Sequence, residues 1–142
     1  MKSFWGFALT HWQRPSVEAL ALEIQEHHGP VVYFLLGAWL VQRGQAFDEV
    51  LLTAINQQVE PVEAQLNALR QQRKGVEGPT KQAILAQELA LEKALYARLQ
   101  ALVPPTQGQG NRPWYLWWAK WFPRCEEAEF EHWRTTLGLV LK

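Results

Sequence analysis

From its N-terminus onward the chain repeats apolar residues at intervals of three and four, the period of an α-helix, and shows no convincing strand. Phe4, Trp5, Phe7, Ala8 and Trp12 mark a first helix, about Ser3 to Gln13. Arg14-Pro15 ends it, because a residue before proline is pushed out of the α region. Ser16 is the expected cap of a second helix, whose stripe is Val17, Leu20, Ala21, Ile24 and His28. Gly29-Pro30 stops that helix and opens a third, Val31 to Arg43, apolar on every side and so expected at the buried centre of a bundle.

Two long helices follow, about Phe47 to Lys74 and Pro79 to Val103, joined by Gly75-Val-Glu-Gly-Pro79. So short a link between long helices predicts an antiparallel hairpin over 46–103, with a kink at the internal Pro61. Pro104-Pro105 closes the second arm, and Thr106-Gln-Gly-Gln-Gly-Asn111 reads as a flexible connector within 104–112. Residues 113–142 then hold a short Trp-rich helix between Pro113 and Pro123 and a last helix from Glu126 to Leu141. The expected fold is all-α, a single-domain bundle of six or seven helices over 1–142, built around Val31 to Arg43 with the long hairpin packed on it.

The second hairpin arm carries a local conflict. Ile84, Leu85, Leu89, Leu91, Leu95, Tyr96, Leu99, Leu102 and Val103 fill one arc of about 160° when residues are set 100° apart. Glu88 and Glu92 lie in the middle of that arc, while Ala83, Ala86, Ala90, Ala94, Ala97 and Ala101 occupy the opposite side. Carboxylates facing where leucines face must be paired, protonated or bound to a cation. The first arm offers partners: its stripe of Leu51, Ile55, Val59, Val62, Leu66 and Leu69 also contains Arg73, with Arg70 at its edge. Arg70, Arg73, Glu88 and Glu92 are therefore the candidate polar cluster, either a structural ion-pair clamp or a ligand site.

Four of the chain's eight tryptophans, Trp114, Trp117, Trp118 and Trp121, fall within eight residues. Helical spacing puts them on one face, which either closes the bundle or forms a partner surface, since Trp dominates interface hot spots. Trp117 and Trp121 are expected inward, with Trp114 or Trp118 at the rim.

The charge balance narrows the partners. Fourteen basic and 14 acidic side chains leave no formal net charge, so no general field attracts nucleic acid or anionic lipid. The expected partner is another protein or a second copy, with peripheral membrane contact a minor alternative. No apolar run reaches the ~20 residues of a spanning helix. The single Cys125 excludes an internal disulfide and points to a reducing cytoplasm.

No motif brings in a cofactor and no residue is singled out as catalytic. Glu129-Phe-Glu-His132 is one Glu-x-x-His, but the second that a dinuclear carboxylate bundle uses is missing, so no metal is expected. His27 and His28 read as helix-end histidines and Cys125 has no base fixed beside it in sequence.

Two groups of residues together are familiar. One runs from Phe7-Ala-Leu-Thr-His-Trp-Gln-Arg-Pro-Ser through Gln25-Glu-His-His-Gly29 to Leu35-Leu-Gly-Ala-Trp39. The other comprises Pro61, Leu69-Arg-Gln-Gln-Arg-Lys74, Glu88-Leu-Ala-Leu-Glu92 and Leu95-Tyr96. In these the chain, over about residues 4 to 100, resembles a small all-helical family of conserved hypothetical proteins from proteobacteria, a domain of unknown function. The resemblance implies an all-helical bacterial protein, brings no biochemical activity, and implies that Arg70, Arg73, Glu88 and Glu92 belong to the family pattern. The sequence thus favours a non-enzymatic interaction or regulatory protein using the Trp-rich surface or the hairpin. The alternative is a small-ligand or metal-binding site, with catalysis open to it, around Glu88 and Glu92.

Overall fold

A computed structural model of the chain describes residues 3–105 and 112–140. Among these residues there are seven α-helices and no strand: α1 (Phe4–Trp12), α2 (Pro15–His27), α3 (Val31–Gln42), α4 (Glu49–Lys74), α5 (Gly78–Leu102), α6 (Leu116–Trp121) and α7 (Glu127–Leu137). The all-helical reading therefore holds. Most of the expected connector, 106–111, lies outside the described residues. The chain divides into two compact units, one of residues 1–48 with 104–142 and one of residues 49–103.

In the first unit the helix ends follow from local chemistry. The Ser3 hydroxyl accepts from the Gly6 N–H at 3.0 Å and caps α1. Helix α2 starts one residue before the expected cap: Pro15 occupies the first helical position, where its missing N–H costs nothing, and Ser16 lies inside the first turn. Arg14, between the two helices, donates to the carbonyls of Leu137 at 2.8 Å and Thr136 at 2.7 Å. A guanidinium there satisfies carbonyls that the end of α7 leaves unpaired and meets the negative end of its dipole. Gly138 then closes α7 in the left-handed conformation, at φ 70°.

The apolar α3 is buried from Val32 through Val41, as its lack of a polar face requires. Gly37 lets another element approach it: a β-carbon there would stand 2.4 Å from both Cδ1 and Nε1 of the Trp118 indole. Trp117, Trp118, Phe4, Phe34 and Phe130 are among the largest fully buried side chains.

The second unit is the hairpin of α4 and α5. Helix α4 is one continuous helix through Pro61, which is exposed, and its buried line is Leu51, Ile55, Val59, Val62 and Leu66. The buried residues of α5 are Ile84, Glu88, Leu95, Tyr96 and Leu99. Leu89 departs from the expected arc and is 54% exposed. It sits 100° from Glu88 around the axis, past the edge of the buried strip.

Candidate functional site

The hairpin brings together the four residues that the sequence singled out. Glu88 is buried, and Arg73 grips it with two bonds, Nε donating to Oε2 at 2.8 Å and Nη2 donating to Oε1 at 3.2 Å. This paired geometry matches the fork of a guanidinium to a carboxylate. Arg70 brings its Nε within 4.0 Å of Glu88 Oε1 and donates through Nη1 to Glu63 Oε1 at 3.0 Å. Glu63, two helical turns before Arg70 on the same face, is a member of the cluster that sequence reasoning missed.

Three carboxylates, Glu63, Glu88 and Glu92, thus share two guanidinium groups. The half-buried Glu92 is the odd one. Burial raises its carboxyl above the usual range, Arg70 opposes the shift, and the Glu88 and Glu63 charges add to it. Beside it the enclosed Tyr96 hydroxyl is also pushed up, first by burial and then by Glu92 and Glu63.

The Trp-rich segment divides. Trp117 and Trp118 are fully buried; Trp114 and Trp121 are half-buried. Trp118, rather than the expected Trp121, joins Trp117 inside, because Gly37 leaves room for its ring and the Phe34 carbonyl accepts its indole N–H at 3.0 Å. Trp117 donates to the Gln45 carbonyl at 3.3 Å, which satisfies its own buried N–H. Trp121 stacks on Tyr33, with ring centres 4.8 Å apart. Trp114 precedes α6, so it shares no helical face with the others; it packs edge-on to Trp118 and lies under the Arg134 guanidinium.

A second polar cluster, in the first unit, combines residues that looked unconnected in sequence. His28 caps the C-terminus of α2, and Gly29 beyond it takes φ 155° with Phe122 close by. Phe122-Pro-Arg-Cys125 forms a turn in which the Cys125 N–H donates to the Phe122 carbonyl at 3.0 Å. Phe122 is buried edge-on to Trp133 of α7, so one ring ties the turn to both helices. Glu129 stands in the first turn of α7, where the dipole favours a carboxylate.

As a result Cys125 Sγ lies 3.5 Å from His28 Nδ1, and His28 Nε2 lies 3.5 Å from Glu129 Oε2. Burial, the Glu129 charge and hydrogen bonding to Glu129 push the Cys125 thiol up to about 11. His28 and Glu129 further line a cleft of about 280 Å³ with Glu23 and His132. The sequence signals were partial: His28 falls on the period of the α2 stripe but is exposed in the structure, and Cys125 and Glu129 are four apart. Only the fold places them side by side.

A family model described as "Protein of unknown function (DUF2390)" matches residues 3–99. No curated protein and no solved structure matches the chain. Among the described residues no helix is long and apolar enough to cross a membrane.

Proposed function

We propose, for a chain that belongs to the DUF2390 family of proteins of unknown function, a non-enzymatic interaction role exercised by pairing with a second copy along the outer face of α5. One observation carries this reading: Ala83, Ala86, Ala90, Ala94 and Ala97 are all exposed, and their spacing is symmetric about Ala90, at four and seven residues to either side. They lie within an arc of about 80°. Alanine lets helix axes approach to about 8 Å, and a two-fold interface must be self-complementary. An antiparallel pair centred on Ala90 sets Ala83 against Ala97 and Ala86 against Ala94 of the other copy. It also sets Lys93 against Gln87 and Arg98 against Gln82, so no like charges oppose.

The Trp-rich segment supports a partner surface less well, because two of its four indoles serve the core and each of the other two already packs on an aromatic neighbour. The alternative ligand site around Glu88 and Glu92 has the drawback that Glu88 is already neutralised by Arg73. A reducing cytoplasm fits the single cysteine.

Sedimentation velocity over a range of concentrations tests the proposal. Wild type is expected to shift from monomer to dimer as concentration rises. Ala90→Glu, which sets a carboxylate against its own image on the axis, is expected to stay monomeric with an unchanged helical circular dichroism spectrum. A wild type that is monomeric throughout, or an Ala90→Glu variant that dimerises equally, refutes it.

A further inference from the structure

We propose that His28, Cys125 and Glu129 form a binding site for a divalent cation of the zinc class, with three protein ligands and one open position. A His28 ring nitrogen, Cys125 Sγ and a Glu129 carboxylate oxygen fall within one small volume, with the ligand atoms all within 4.8 Å of one another. Zinc holds thiolate sulfur at about 2.3 Å and imidazole nitrogen at about 2.0 Å, so around a tetrahedral ion those two atoms stand about 3.5 Å apart. The 3.5 Å between Cys125 Sγ and His28 Nδ1 already has that value. One soft, one borderline and one hard ligand together suit zinc, while calcium and magnesium take oxygen ligands and make no use of a thiolate.

The same three residue types also make a nucleophile, a base and an orienting carboxylate, so the two chemistries must be separated. In a thiol–imidazole–carboxylate relay the carboxylate touches only the far side of the imidazole. Here a Glu129 carboxylate oxygen lies within 4.8 Å of the ligand atoms of both His28 and Cys125. A divalent cation between the sulfur and the carboxylate is attracted by both groups. Convergence of all three on one point therefore favours the ion.

The position that protein ligands leave open can take a water, or a group entering the cleft that His28 and Glu129 line with Glu23 and His132. Three protein ligands with one exchangeable position are the arrangement of zinc sites that act on bound molecules, while purely structural sites close all four. The cluster belongs to the first unit and shares no residue with the α5 face, so its test is read separately from dimer formation.

The experiment titrates zinc chloride into metal-stripped, reduced full-length protein against a chromophoric chelator, and repeats the titration with cobalt(II). Wild type is expected to bind one ion per chain and to give a sulfur-to-cobalt charge-transfer band in the near ultraviolet. Cys125→Ser should abolish that band. Cys125→Ser, His28→Gln and Glu129→Gln should each weaken zinc binding by more than roughly a hundredfold, since loss of a group that only hydrogen-bonds to a ligand costs about tenfold to a hundredfold. Circular dichroism checks that each variant keeps its helices, and Glu60→Gln on α4 serves as the control that should bind as wild type does. Zinc should also slow alkylation of Cys125 by iodoacetamide. Wild-type binding no tighter than that of Cys125→Ser overturns the proposal. So does rapid alkylation indifferent to zinc, which would assign the cluster to thiol chemistry instead.

Discussion

A methyl group at Gly37 is the smallest change that tests the aromatic core. In a helix interior Gly→Ala ordinarily stabilises by about 1 kcal/mol, through lost freedom in the unfolded chain. Here the new β-carbon would stand 2.4 Å from two atoms of the Trp118 ring, which is 0% exposed. An indole cannot bend away, so the ring or the helix must move by about 1 Å to restore ordinary contact. A buried indole removes about 200 Å² from water, worth about 5 kcal/mol at 25 cal/mol per Å². If the shift uncovers one fifth of that surface it costs about 1 kcal/mol. Stretching the bond from Trp118 to the Phe34 carbonyl costs about another 1 kcal/mol, and lost packing adds to both, within the ~1–3 kcal/mol usual for overpacking. Set against the helix gain, Gly37→Ala is expected to destabilise by about 1–2 kcal/mol. In a Trp118→Ala background the clashing ring is gone, and the same methyl should be neutral or stabilising by up to about 1 kcal/mol. Urea melts of the four proteins, followed by circular dichroism, give the coupling directly, expected at about 2 kcal/mol. Gly37→Ala raising the midpoint in wild type, or acting equally in both backgrounds, would refute the reasoning.

Further expectations follow from the polar contacts. Glu88→Ala strands Arg73, but that side chain is 34% exposed and can recover water, so the cost should be about 2–3 kcal/mol rather than the ~3–5 of a fully buried pair, read from urea melts. Glu92→Gln should be neutral or stabilising at pH 7, because folding raises the Glu92 carboxyl and so works against its charged form. Wild type should lose stability relative to Glu92→Gln as pH rises from the ordinary carboxylate range through the raised value; a growing advantage for wild type over that window would contradict the assignment. Arg14→Ala removes two carbonyl partners at the end of α7 and should cost about 1–2 kcal/mol in the same assay, with Arg14→Lys recovering only part of it.

Helix order was legible because period and stop signals agree, as at Gly29-Pro30 and Gly75 to Pro79. The Arg73–Glu88 pair was legible too, since a carboxylate among leucines requires a partner and the short link brings the facing stripe within reach. Periodicity was weaker at fine division. It put Leu89 inside the arc and Trp121 inside the core, because a helical wheel carries no information about how wide the covering element is or which glycine opens a slot for an indole. Glu63 escaped notice because its role depends on the reach of Arg70 back along α4. The cluster of His28, Cys125 and Glu129 joins residues almost 100 positions apart, and no local pattern predicts such a convergence.

The pairing of two copies about Ala90 is tested most directly by cysteine trapping in a Cys125→Ser background. An antiparallel pair places residue 90 opposite itself and residue 97 opposite residue 83, so oxidation should join Ala90→Cys chains to one another rapidly. Ala97→Cys chains should remain unlinked alone and link only when mixed with Ala83→Cys chains. Efficient linking of Ala97→Cys to itself, or no linking at Ala90→Cys under the same oxidation, would contradict the pairing.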